Sequence, residues 1–148
     1  MALTPPEAGS ALIRRRISIG EYRYHAEDMD AARTALSELV AELPPGELRA
    51  EALLWLACVR KAQNGMAEAA ELARAALAQA ERNTLRAAAE RLLAQALVFV
   101  GAVSSAHRHA VAALITARAT GDWTSIAESK ATLAWSQFWV GRGVRMDL

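Results

Sequence analysis

Small and apolar residues in this chain recur at a fixed interval of 37 positions. Gly20, Ala32, Leu36 and Leu39 are followed by Ala57, Ala69, Ala73 and Ala76, and then by Ala94, Ala106, Ala110 and Ala113. An interval of about 20–50 residues marks a repeat protein, in which each unit buries its apolar face by stacking on the next. Within a unit the apolar positions keep helical spacing: Ala32, Ala35, Leu36, Leu39 and Val40 make one stripe. No run alternates Val, Ile, Thr or aromatic residues over the length of a strand. The pattern predicts an all-α chain of helical hairpins stacked as a short solenoid.

Helix breakers divide the chain into units. Pro5, Pro6 and Gly9 predict a lead-in over residues 1–10, because the proline ring excludes a helix interior. The first repeat, 11–46, has a helix to about Glu27 and a second that starts at an Asp28 or Asp30 cap and stops at Pro44-Pro45-Gly46. The second, 47–83, has helices over about 48–63 and 66–82, joined at Asn64-Gly65, where a left-handed residue ends a helix. The third, 84–121, is capped by Asn83-Thr84 and has helices over about 85–100 and 102–120, meeting at Gly101. Gly121-Asp122 opens a half repeat, 122–140, with one helix over about 124–140 and a tail over 141–148.

That last helix carries Leu133, Trp135, Phe138, Trp139 and Val140, where a terminal unit needs a polar outer face. Either the chain is part of a longer array or this helix packs on another chain. The tail from Gly141-Arg142-Gly143 is too short to supply a covering helix. Trp135, Phe138 and Trp139 share one helical face, with Leu133 and Val140 beside it. An uncovered aromatic face is an association surface, so self-association as an isologous dimer is expected.

Composition narrows the class. The 148 residues are 53% hydrophobic, enough for one domain with a continuous core. Ala contributes 35 of them and aromatics only 5%, which favours helices packed at short distance. A net charge of +1 with 22% charged residues gives no footprint for direct nucleic-acid binding. The one basic run, Arg14-Arg15-Arg16, fans over about 200° of a helix, so its residues are solvated or paired within the protein. Cys58 is the single cysteine, which excludes an intramolecular disulfide and fits a reducing compartment. The N-terminus has no secretory pattern, and Leu92–Val103, the longest nearly apolar stretch, is too short to span a bilayer. A cytoplasmic location without membrane contact is expected.

Catalytic chemistry finds no foothold. His107 and His109 are two apart, so they point away from each other on a helix and are expected to be solvated. Glu21 and His25 share a face at i, i+4, which suits a salt bridge or surface placement better than half a metal site. Cys58 lies in the apolar stretch 53–59 without an adjacent base and is expected as a buried small hydrophobe. No catalytic, cofactor or metal residue is assigned. The first helix of each hairpin lines the inner wall of such a stack. Its inward positions are Arg14, Glu21, Tyr24 and His25, then Glu51, Cys58 and Lys61, then Arg91, Gln95 and Phe99, then Trp135 and Trp139. Charges interleaved with aromatic rings suit a groove for a peptide or a small effector; the alternative is an ordinary solvated wall.

The spacing resembles the tetratricopeptide pattern. Ile19-Gly20, Ala32, Leu36, Leu39 and Pro44 carry it in the first repeat. Leu56-Ala57, Ala69, Ala73 and Ala76 carry it in the second, and Leu93-Ala94, Ala106, Ala110 and Ala113 in the third. No Tyr follows the Gly-like position and a closing Pro survives only in the first, so the repeats are degenerate. The resemblance implies a right-handed α-solenoid. The stretches Ala2-Leu3-Thr4-Pro5-Pro6, Glu21-Tyr22-Arg23-Tyr24-His25-Ala26-Glu27-Asp28, Asp30-Ala31-Ala32-Arg33, Glu42-Leu43-Pro44-Pro45-Gly46 and Leu53-Leu54-Trp55-Leu56-Ala57 go further. With Gly121-Asp122 and the ending Trp135 to Gly141, they resemble the repeat region of large ATP-binding LuxR-type (MalT-like) transcriptional regulators. Arg outnumbers Lys 15 to 2, as in proteins of GC-rich bacterial genomes. In that family the repeat region lies between an ATPase module and a helix-turn-helix. Neither a phosphate-cradling Gly-x-x-x-x-Gly-Lys-Ser/Thr loop nor a basic recognition helix is found in this sequence. The expectation is a non-catalytic sensor or interaction segment that binds an effector or partner protein. A stand-alone tetratricopeptide adaptor that scaffolds complexes is the alternative.

Overall fold

The computed structural model describes residues 6–141, with side-chain surroundings from residue 9 onward. Seven helices follow one another: α1 (Pro6–His25), α2 (Met29–Glu42), α3 (Glu47–Ala62), α4 (Met66–Gln79), α5 (Asn83–Phe99), α6 (Val103–Thr120) and α7 (Trp123–Trp139). No strand occurs among the described residues, so the all-α class is observed. Residues 1–5 of the expected lead-in and 142–148 of the expected tail lie outside the described residues. The first helix begins at Pro6 rather than near Ala11. Proline is tolerated at a first helical position because its missing N–H would have no partner there anyway.

The caps show where local chemistry was legible. Of the two aspartates expected to open α2, Asp28 does so, its carboxylate accepting from the Ala31 N–H at 3.3 Å. Asp122 caps α7 through the N–H groups of Thr124 and Ser125. The expected cap at Asn83-Thr84 is not made: Arg82 is the N-cap residue of α5 and no side chain caps it. A carboxylate from the preceding hairpin instead holds the chain just before the helix. Glu47, at the start of α3, accepts from the N–H groups of Glu81 and Arg82 and pairs with the Arg82 guanidinium at 2.5 Å. Burial works against the charge, but these hydrogen bonds hold the Glu47 carboxyl below the usual carboxylate range.

The 37-residue interval extends into the backbone of the turns. Glu27, Asn64 and Gly101 each adopt a left-handed conformation, with φ of 61°, 62° and 81°. The next residues, Asp28, Gly65 and Ala102, donate their N–H groups to the carbonyls of Arg23, Arg60 and Leu97. One helix-ending turn, of the kind that satisfies orphan carbonyls with a bond five residues back, is thus built three times. Only one copy uses the glycine that makes such a turn strain-free.

Burial bears out the repeated small positions. Gly20, Ala57 and Ala94, and the α2, α4 and α6 positions in register with Ala32, Leu36 and Leu39, are all buried. A Cβ on Gly20 would stand 2.6 Å from Leu36, so the glycine makes room for the leucine. The next units solve the same contact with alanine on both sides: Ala57 and Ala73 share one core cluster, Ala94 and Ala110 another. Side-chain volume is thereby traded between facing helices. The register stops at α7, where 37 residues beyond Ala94 stands exposed Ala131.

Each helix packs on the next in sequence, and α1, α3, α5 and α7 also pack on one another in order. Among the described residues no Cα atoms of α2, α4 and α6 come within 8 Å of one another. The odd-numbered helices therefore form a continuous layer.

Candidate binding groove

That layer carries a groove of about 700 Å³ between α3, α5 and α7, bordered by Met66 at the start of α4. Helix α5 forms its floor because it is the helix that touches both α3 and α7. Five residues expected on the inner wall meet here: Lys61, Arg91, Gln95, Phe99 and Trp135. A polar chain crosses the floor. The Lys61 Nζ donates to Gln95 Oε1 at 2.6 Å, and Gln95 Nε2 donates to Thr132 Oγ1 at 3.4 Å. Thr132 Oγ1 in turn donates to the Glu128 carbonyl. Arg91 is occupied by Glu128 at 2.6 Å and Ser125 at 3.4 Å. Phe99 and Trp135, with ring centroids 5.9 Å apart, give the groove an aromatic end.

The partly buried Cys58 packs behind this floor against the core cluster of Leu92, Leu93 and Ala96. Burial pushes its thiol up, an effect that the fields of Lys61 and Arg91 partly offset. It is a packing residue kept as the neutral thiol.

The other inner-wall candidates lie outside the groove. Tyr24 and His25 form a separate aromatic cluster with Trp55, with centroids 5.2–5.7 Å apart. Glu21 faces His25 at 4.0 Å, the surface pair expected from the i, i+4 spacing. Glu51 is drawn to Arg82 at 3.2 Å, beside Glu47. Arg14 is exposed on α1; of the basic run, Arg16 alone pairs among the described residues, with Glu42 at 2.5 Å.

Two expectations need correction. His107 and His109 are not free surface residues. His107 Nδ1 lies 3.0 Å from Ser136 Oγ, and His109 Nδ1 lies 2.5 Å from the Glu90 carboxylate. They do point apart, and each ties α6 to a different neighbour, α7 or α5. Leu133 does not flank the aromatic face of α7 but is buried against Ala94, Ala110 and Leu114. Trp135 is also half-buried, between Phe99 and Trp139. The exposed part of the expected association surface is Phe138 and Trp139, 58% and 50% accessible and in edge-to-face contact.

Met66, Leu92, Glu128, Ala131 and Thr132 complete the groove and were not singled out as site residues from the sequence. Thr132 stands 37 residues after Gln95, but the buried small-residue register does not continue into α7, so the sequence carried no signal that marked it. No group of three or more metal-ligating side chains occurs among the described residues, and no described helix is long and apolar enough to cross a membrane. No protein-family model, no curated protein and no solved structure matches this chain.

Proposed function

We propose that the chain is a tetratricopeptide-like α-solenoid segment that binds a small effector or a peptide in the groove between α3, α5 and α7, without catalysing a reaction. The observation that carries this is the Lys61–Gln95–Thr132 chain, which aligns polar side chains of three successive odd helices along one floor. A concave site with a few convergent polar groups and an aromatic wall is the usual form of a ligand pocket. The continuous layer of odd helices supports the solenoid reading, because first helices of stacked hairpins touch in that order. The sequence stretches around Glu21–Asp28 and Leu53–Ala57 support placing the segment in a LuxR-type transcriptional regulator. A stand-alone adaptor would use the same groove. Self-association through Phe138 and Trp139 belongs to the same proposal, since paired exposed rings are an interface chemistry.

Amide shift mapping with a mixed library of fragments and short peptides tests the groove. Binders are expected to perturb Lys61, Gln95, Thr132 and Trp135 together. Binders confined to the even-numbered helices, or none at all, overturn the reading. Sedimentation equilibrium on the same sample tests the dimer: wild type is expected to associate with concentration and Phe138→Glu/Trp139→Glu to stay monomeric.

A further inference from the structure

The charges that meet in the groove do not balance. Arg91 is neutralised by Glu128. Lys61 has no carboxylate within 4.0 Å among the described residues; its partner is the neutral amide oxygen of Gln95. An ammonium has three protons to donate, and one is used. Lys61 is half-buried, which makes an uncompensated charge costlier than on an open surface. It is also held in place, because Gln95 is itself fixed by Thr132. Both cations lower the Cys58 thiol against the effect of its burial, which registers their common field at this floor. Beyond Gln95 the groove ends on the rings of Phe99 and Trp135.

We propose that the groove takes a small aryl carboxylate, its carboxylate on Lys61 and its ring against Phe99 and Trp135. This rests on the groove being the binding site, as argued above. One net positive charge matches a monoanion; a phosphate dianion would leave one charge unpaired in a partly enclosed site. A carboxylate completes the Lys61 donors with charge-assisted hydrogen bonds, and an aryl body covers the aromatic end of the groove. A volume of about 700 Å³ accommodates a bicyclic acid and falls within the range of small-ligand sites.

A charge series on one ring system tests it: 2-naphthoate, 2-naphthamide and 2-naphthylmethylammonium, measured by calorimetry and amide shift mapping. The naphthoate is expected to bind at Lys61 and Trp135 about tenfold or more tighter than the amide, with the ammonium weaker still. Lys61→Met is expected to remove that preference, so that naphthoate binds it no tighter than naphthamide, and melting curves will show that it folds. Equal binding of naphthoate and naphthamide overturns the carboxylate assignment and leaves the groove standing. No binding of any of the three overturns the aryl acid, while peptides or other fragments still shifting Gln95 and Thr132 would keep the groove. An acetyl-Glu-Trp-amide dipeptide binding tenfold tighter than naphthoate would assign the same chemistry to a peptide and overturn the small-acid form.

Discussion

Helices α4 and α7 both lie against α5, and they do it with opposite chemistry. The buried face of α4 is Ala69, Ala70, Ala73 and Ala76. That of α7 is Ser125, Ser129, Thr132, Leu133, Ser136 and Gln137. Both faces are made mostly of small side chains, so both allow close approach. The alanine face needs nothing from its neighbour but contact. The hydroxyl face needs partners, and it finds some: Arg91 for Ser125, Gln95 for Thr132, His107 for Ser136. Ser129 Oγ and Gln137 Oε1, both buried, find none among the described residues. A buried polar group left unpaired costs about 1–3 kcal/mol, so α7 is docked with less net stabilisation than α4. The groove therefore has a firm wall, α3 and α5, and a more weakly held one, α7.

The strongest way to break the comparison is to enlarge the alanine face. Ala69→Leu adds three carbons at a fully buried position and is expected to cost about 1–3 kcal/mol through overpacking. Thermal melts check it, and a variant as stable as wild type would show that α4 is not closely packed.

Glu47 sharpens the comparison, since it joins α3 to the start of α5 on the firm side. Glu47→Gln is expected to cost about 1–2 kcal/mol at neutral pH, the scale of charge-assisted hydrogen bonds at a partly exposed site. The Glu47 carboxyl is held below its usual range in the folded state. Its stabilisation is therefore present above the unfolded carboxylate value and lost as pH falls through the folded one. The stability gap between wild type and Glu47→Gln should close in acid. A gap independent of pH would remove the ionic role of Glu47.

The smallest effect is expected from Ser129→Ala, and with the opposite sign. Removing an unpartnered hydroxyl is expected to leave stability unchanged or raise it by up to about 1 kcal/mol. In hydrogen exchange the α7 amides of wild type should open at lower free energy than those of α4, and Ser129→Ala should narrow that difference. Loss of stability in this variant would mean that Ser129 is hydrogen-bonded after all, and the contrast between the two helices would shrink.

Helix content, most of the breaks between helices and the small contacts between them followed from periodicity and breakers alone; the start of α1 at Pro6 did not. A 37-residue interval repeats the same local steric problem, answered by glycine against leucine in the first unit and by paired alanines in the next two. The left-handed turn at Glu27 was not legible, because Glu has no preference for that conformation and is held there by the turn's own hydrogen bonds. Half of the groove could be located in advance: positions on the first helix of each hairpin face one side, which brought Lys61, Arg91, Gln95, Phe99 and Trp135 into one prediction. The same rule could not separate them from Arg14, Glu21, Tyr24, His25 and Glu51, because helical phase fixes the face of a side chain but not its neighbours. That was decided by tertiary packing. Arg82 draws off Glu51, Trp55 collects Tyr24 and His25, and Glu128 neutralises Arg91 while Lys61 is left with an amide. The polar docking of α7, with His107 on Ser136, was equally a tertiary outcome. A serine on a helix reads as surface until another helix covers it.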